Sequence, residues 1–341
     1  MLSSVTAARP IKFSTKLLAN GAGASSIGVV SGRLIQPGNH TASWRHNYYH
    51  TNYHSDETEE MFDQTTLFSL SLSAALLSGP VQASQAPVPV TVFIHGTSLV
   101  AGQLVYSAAG LHPLDTLSSI DVAYRFGTVL CQTDHGQFPA PHYYSFGWGG
   151  ALDHKVRVYA AGELSRALLK LQETYRRLGR KISLTLITHS HGGNVALLLA
   201  QVWQQLSPAQ QRQLVIQRLI MLGCPVQVQT RDLAKHPIFR RVYVFYSHWD
   251  LIQVAAPQLS EFQQQIAQGQ LPGSERVFPL AAHVYQAAIS AGWRTGIGHL
   301  EFIFATFASK LPKLLRRMDW HAVRPTTKFT QGQLTLDLHK I

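Results

Sequence analysis

Residues 182–193 read Ile-Ser-Leu-Thr-Leu-Ile-Thr-His-Ser-His-Gly-Gly, and the rest of the chain is organised around them. The run Leu184-Thr185-Leu186-Ile187 consists of β-forming residues and predicts a strand. Beyond Gly193, the segment Val195–Leu206 is apolar nearly all round, as expected of a helix buried against a sheet. The stretch therefore predicts a strand that ends in a tight turn on Ser190 and continues as a buried helix.

Ser190 on this turn is the first candidate for a catalytic residue. A nucleophile on so sharp a turn lies in strained backbone, and the residues two before and two after it must be small because strand and helix pass close together. Gly192 meets that requirement, and Thr188 meets it imperfectly. The helix N-terminus directs free N–H groups and partial positive charge to the place where an oxyanion would form. An ordinary strand-to-helix turn is the alternative interpretation.

Strands and helices alternate on both sides of this turn. Val88–Ile94 is a continuous run rich in β-branched residues, as expected of a strand buried on both faces of a parallel sheet. Residues 157–177 have the pattern of an amphipathic helix, and residues 216–222 and 241–247 are predicted strands. The repeated alternation predicts an α/β fold with a parallel sheet.

Polar residues follow the ends of several predicted strands. His95-Gly96-Thr97 comes directly after the first strand, and Asp250 lies just past the second strand after the one that ends at Ser190. His299 lies in the loop between the last predicted strand and the last helix, beside a glycine. Asp250 and His299 are preferred over two other candidates, Asp232 and His283. His283 would start its strand at the opposite edge of the sheet, and Asp232 suits the first turn of a short helix.

With Ser190, Asp250 and His299 in this order, and with His95-Gly96-Thr97 upstream, the chain resembles the α/β-hydrolase superfamily, particularly its lipase-like and esterase-like members. The resemblance covers roughly residues 87–320, and Thr188 departs from the glycine of the common pentapeptide. It implies the α/β-hydrolase fold, with a mostly parallel central sheet and helices on both faces.

The resemblance also implies a role for each residue. Ser190 would be the nucleophile, His299 the general base, and Asp250 the acid that orients the base. Backbone N–H groups of Thr97 and His191 would form the oxyanion hole, and His95, Gly96, Thr188 and Gly192 complete the motifs. The expected reaction is cleavage of a carboxylic ester through an acyl-enzyme, without a metal or a cofactor.

Other activities stay open at this point. The superfamily includes thioesterases, acyltransferases, amidases and peptidases, and fold does not choose among them. A catalytically silent hydrolase-fold protein that binds a partner is a further alternative.

The connection at residues 98–142 has weak periodicity and many Gly, Pro and Ser residues. A segment this long above the active edge of a sheet predicts a lid or an acyl pocket. Asp121, Asp134, His112 and His135 are expected to be surface residues of it. Its apolar character favours a lipid or a medium-chain acyl ester as the substrate.

Charge is concentrated at the two ends of the chain. The formal net charge of the 341 residues is +11, and residues 1–55 contain five Lys or Arg and no Asp or Glu. Such basic ends favour contact with an anionic membrane surface or a targeting receptor. The chain has no recognisable DNA- or RNA-binding motif, so nucleic acid is not an expected partner.

An N-terminal extension is predicted over residues 1–86, a catalytic domain over 87–320, and a tail with a short added strand over 321–341. Within the extension, Leu67–Leu77 is an apolar stretch followed by the small residue Ala83, as in a secretory signal with its cleavage site. Its distance from Met1 leaves an amphipathic prelude or a membrane-apposed segment as alternatives. Export or membrane association is favoured over a cytoplasmic location.

Two minor features concern histidine and cysteine. His46, His50 and His54 are spaced by four, which would align them as metal ligands on a helix, but a flexible polar segment explains them better. Cys131 and Cys224 are expected to remain unpaired thiols, although sequence alone does not exclude a disulfide.

Overall fold

The strands form where aliphatic and β-branched residues run together, and the helices form between them. The computed structural model describes residues 86–97, 106–255, 276–292, 296–330 and 334–341. The strands are β1 Val88–Ile94, β2 Gly110–Pro113, β3 Tyr143–Gly147, β4 Ile182–His189, β5 Arg218–Leu222, β6 Val242–Tyr246, β7 Val284–Ser290 and β8 Leu334–Asp337. The helices are α1 Val122–Thr133, α2 His154–Arg177, α3 Gly192–Gln204, α4 Pro208–Gln213, α5 Leu251–Ala255, α6 Ala305–Val323 and α7 Thr327–Thr330.

The strands form one sheet in the order β2-β3-β1-β4-β5-β6-β7-β8. All neighbouring strands are parallel except β2, which runs antiparallel to β3. The predicted α/β class with a mostly parallel sheet is therefore confirmed.

The strand order itself differs from that of the expected α/β-hydrolase fold. The parallel strands follow the flavodoxin-like doubly wound order, in which the chain steps from β1 to β3 on one side and then to β4 on the other. Local motifs specify strand–turn–helix units but not which strands become neighbours, which explains the difference. The order reverses between β1 and β4, and in open α/β sheets ligands bind at the carboxyl ends of the strands at such a reversal.

The side chains of the central strands alternate between two cores. On one face, Val92 and Leu186 pack with residues of α2 and α3. On the other face, Phe93 and Ile187 pack with residues of α1 and α6. Helices cover both faces of the sheet, as the sequence predicts.

The interpretation of residues 98–142 as a lid or acyl pocket is wrong for the residues described there. Val122–Thr133 is a helix, α1, which packs against α6 in the second core. Asp121, expected at the surface, is buried. Its carboxylate caps α1 by accepting a hydrogen bond from Ala123 N at 2.7 Å, and it also accepts one from the Ser107 hydroxyl at 3.0 Å. The cap and the apolar residues at four-residue spacing, Val122, Phe126 and Leu130, are the signals that indicate this helix.

The residues after 320 extend the same sheet. Leu334–Asp337 forms β8, a parallel neighbour of β7, and Leu334 and Leu336 are buried in the second core. Cys131 and Cys224 are free, buried thiols. Within the described ranges, no helix is both long and apolar enough to cross a membrane. The predicted signal-like segment and the three spaced histidines lie outside the described residues.

Candidate active site

Ser190 lies on a strained turn between β4 and α3. Its φ is 53°, and it is the one non-glycine residue with positive φ in the described part of the chain. Left-handed backbone costs an L-residue about 1–2 kcal/mol. The turn is held by Ser190 N, which donates to Leu222 O at 2.9 Å, and by Gly193 N, which donates to Ser190 O at 3.0 Å. Such strain is characteristic of functional positions.

Glycines allow the elements around Ser190 to approach each other closely. A Cβ at Gly192 would overlap the carbonyl oxygens of Ile94 and His95, and a Cβ at Gly96 would lie 2.7 Å from Ser190 Cβ. Gly193 lets the start of α3 pack closely against Cys224. A Cβ at Gly193 would overlap Cys224 Sγ and would also lie 3.2 Å from Thr188 Oγ1.

Asp250 and His299 form a buried pair. Asp250 Oδ2 lies 2.7 Å from His299 Nδ1, and both side chains are almost fully shielded from solvent. Asp250 Oδ1 accepts from Gln253 N at 2.8 Å in the first turn of α5. Because the carboxylate can only accept, Nδ1 carries the proton and Nε2 has a free lone pair. His299 Nε2 has no hydrogen-bond partner in the described part of the chain.

The Asp250–His299 pair and Ser190 both border the turn that follows β5. Leu222 accepts the hydrogen bond of Ser190 N, and the next residue is Gly223, with φ 57°. A Cβ at Gly223 would lie 3.0 Å from Asp250 Oδ2 and 3.3 Å from His299 Nδ1. The fold thus brings the serine, the histidine and the aspartate to the carboxyl edge of β4, β5 and β6.

The two backbone N–H groups expected to bind an oxyanion lie at the strand-order reversal. Thr97 follows β1 and His191 is the N-cap residue of α3. Neither N–H donates to another described group, and Thr97 Oγ1 is buried without a hydrogen-bond partner among the described residues. Free N–H groups at the start of a helix suit an anionic ligand.

His95 fixes the turn that carries Thr97. Trp148 N donates to His95 Nε2 at 3.1 Å, so the ring proton is on Nδ1, 2.7 Å from Gly96 O. Trp148 Nε1 donates to His95 O at 2.8 Å, so this tryptophan holds His95 at two points. Burial lowers the pKa of His95 to about 4, which keeps the ring neutral near pH 7.

The histidines on either side of Ser190 are also held neutral. Burial, followed by the charges of Arg157 and His299, lowers the pKa of His191 to about 3. Burial, followed by the charge of His299, lowers the pKa of His189 well below its ordinary value. Ser190 is therefore flanked by uncharged imidazoles near neutral pH.

Ser247 is a residue of the site that sequence reasoning did not single out. It is buried at the end of β6, and its hydroxyl donates to Ile297 O at 2.6 Å and accepts from Ile297 N at 2.8 Å. A Cβ at Gly296 would overlap Ser247 Oγ. Ser247 thus ties the turn that carries Asp250 to the loop that carries His299. No sequence pattern indicates this contact, since the two segments are 50 residues apart.

The two rejected candidates lie elsewhere. Asp232 is an exposed residue of a 3₁₀ turn and pairs with Lys235 at 2.9 Å. His283 directly precedes β7, at the amino edge of the sheet.

No protein-family model and no curated protein sequence matches the chain. Among solved structures, it is similar to an arylesterase, at 11% identity and a TM-score of 0.36 over 69% of this chain and 78% of that one. It is also similar to an alpha-beta serine hydrolase homologue from Coxiella burnetii, at 13% identity and a TM-score of 0.33 over 71% and 88% of the two chains. Est1E from Butyrivibrio proteoclasticus, solved with ferulic acid, matches at 10% identity and a TM-score of 0.34 over 70% and 90%. These likenesses are too distant to assign an activity.

Proposed function

We propose that the protein is a serine hydrolase that cleaves carboxylic esters. The observation that carries the proposal is the buried Asp250–His299 pair, whose Nε2 has no hydrogen-bond partner among the described residues. This pair and the strained Ser190 both border the turn that follows β5. A histidine oriented by a buried carboxylate beside a serine is the arrangement that activates a serine hydroxyl. The distant structural likeness to esterases and serine hydrolases takes no part in this proposal.

The proposed reaction has two acyl-transfer steps. His299 Nε2 takes the proton of Ser190 as Oγ attacks the ester carbonyl, and Asp250 stabilises the resulting imidazolium. The N–H groups of Thr97 and His191 hold the oxyanion of the tetrahedral intermediate. The imidazolium returns its proton to the departing alcohol, leaving the acyl group on Ser190. Water, activated by the same base, then releases the acid.

An ester with an apolar acyl chain is the proposed substrate class. Four large apolar side chains are exposed in the segments that follow β5, β6 and the turn at His299: Val228, Trp249, Leu251 and Phe304. Trp249 and Leu251 flank Asp250 in the sequence, and Phe304 follows His299 by five residues. An apolar rim favours burial of hydrocarbon. A thioester or an acyl acceptor other than water would use the same machinery and is distinguished only by assay.

Labelling with a fluorophosphonate probe tests the proposal. We expect wild-type protein to label and Ser190→Ala to lose labelling completely. Ser165→Ala is the matched control, because Ser165 is a buried serine within α2 and should leave labelling unchanged. Asp250→Asn should slow turnover about 10³- to 10⁴-fold, since the imidazole loses its orienting carboxylate.

A p-nitrophenyl ester series then defines the substrate. Activity that rises from short to medium acyl chains supports the apolar rim as an acyl site, and an optimum at acetate contradicts it. Folded wild-type protein that does not label would refute the serine hydrolase and favour a silent binding protein. Equal labelling of Ser190→Ala would place the reactive group elsewhere.

A further inference from the structure

His189 lies immediately before Ser190 and contacts the proposed base directly. It is the last residue of β4 and is buried. Its Nε2 lies 3.1 Å from the backbone carbonyl oxygen of His299, and the two imidazole ring centroids are 4.6 Å apart. We propose that His189 is a positioning residue, which holds the backbone of His299 and so keeps its ring where it can take the Ser190 proton when a substrate binds. This inference rests on the proposed function.

The hydrogen-bond chemistry fixes the state of His189. A carbonyl oxygen can only accept, so Nε2 carries the proton and donates it to His299 O. His189 Nδ1 has no hydrogen-bond partner among the described residues and faces Gly96, where a Cβ would lie 3.2 Å away. Burial lowers the pKa of His189, so this neutral tautomer persists at working pH.

The contact complements the one made by Asp250. Asp250 binds Nδ1 of the His299 ring, whereas His189 binds the main chain from which that ring projects. His189 and Ser190 are consecutive residues, so one peptide unit joins the nucleophile to the group that anchors its base. Removing the donor would leave a buried carbonyl unsatisfied and free the loop to shift.

Small shifts at this position have large kinetic effects. A displacement of about 1 Å between reacting groups can lower the rate about 10²-fold. Substrate binding would be little changed, because the exposed apolar side chains around Asp250 and the oxyanion donors are not altered. A positioning role therefore predicts a loss in kcat with KM nearly unchanged, whereas a histidine that only fills the core would affect stability alone.

Paired substitutions separate the two roles. His189→Gln keeps an N–H donor at a similar reach, and His189→Met keeps the volume without a donor. With the p-nitrophenyl ester that wild type cleaves best, we expect His189→Met to lower kcat about 10- to 100-fold with KM within about 3-fold. His189→Gln should restore kcat to within about 5-fold of wild type. Fluorophosphonate labelling rates should follow the same order, with thermal unfolding as the check on folding.

His142 provides the matched control. It is bonded to Tyr175 at 2.6 Å and directly precedes β3, at the amino edge of the sheet. His142→Gln and His142→Met should leave kcat unchanged. If His189→Met does not fold, His189→Asn serves instead, because its shorter amide is polar but falls short of the His299 carbonyl.

Failure of the positioning role and failure of the proposed function give different results. Equal kcat in the donor-bearing and donor-less His189 variants, with active wild type, overturns the positioning role alone. Wild-type protein that neither labels nor cleaves any ester overturns the proposed function, and the positioning role with it.

Discussion

Replacing Ser190 with glycine should make the protein more stable than replacing it with alanine. The backbone at Ser190 has φ 53°, in the left-handed region that glycine occupies freely and alanine does not. Both substitutions remove the hydroxyl, so their difference reports the backbone strain and not the chemistry. The comparison therefore measures the strain stored at the candidate nucleophile.

The size of the difference follows from two opposing effects. Alanine at a left-handed position costs about 1–2 kcal/mol. Glycine costs about 0.5–1 kcal/mol because its unfolded chain has more freedom to lose. We expect Ser190→Gly to exceed Ser190→Ala by about 0.5–1 kcal/mol in unfolding free energy.

Urea unfolding of both variants provides the assay, with equal m-values as the condition for comparison. Ser309, a half-buried residue of α6, is the control position. There Ser309→Gly should be less stable than Ser309→Ala by about 1 kcal/mol, as in an ordinary helix. The same sign at both positions would show that Ser190 is not strained, and the elbow interpretation would lose its structural basis.

Two further predictions concern the packing and the protonation of the site. Gly192→Ala should lower the unfolding free energy by about 1–3 kcal/mol and abolish labelling, because its Cβ would overlap the carbonyl oxygens of Ile94 and His95. The control Gly162→Ala, within α2, should instead raise the unfolding free energy by about 1 kcal/mol. Equal effects of the two substitutions would contradict the close approach at Gly192. Stability should also fall as pH drops from 6.5 to 4. Because the unfolded chain protonates His95 near 6.5 and the folded chain only near 4, this histidine contributes at most about 3 kcal/mol to the loss. His191 adds to the loss with the same sign. Urea unfolding at several pH values should show that the unfolding free energy of His95→Gln falls less steeply with decreasing pH than that of wild type. An unchanged pH dependence would refute the lowered pKa of His95.

The sequence predicts much of the local structure because each signal is local. A run of β-forming residues indicates β4, a continuous apolar segment indicates the buried helix α3, and glycines mark the turn on Ser190. The sequence predicts Asp250 and His299 because each follows a strand end, and the fold places Asp250 Oδ2 2.7 Å from His299 Nδ1. Their catalytic role is a prediction that the turnover of Asp250→Asn tests.

The lateral order of the strands was not predictable in the same way. It depends on which buried faces pair across the whole sheet, and the resemblance led to an expectation that the observed order contradicts. The helix at Val122–Thr133 was missed because the many Gly, Pro and Ser residues around it obscured its apolar spacing.

The sequence by itself determined the strand–turn–helix units and the polar candidate residues at their ends, because both depend on residues only a few positions apart. The tertiary structure alone decided which of those ends meet. Contacts such as Ser247 with Ile297, or His189 with the carbonyl of His299, join segments 50 and 110 residues apart. Such contacts depend on burial and close packing, and no local pattern encodes them.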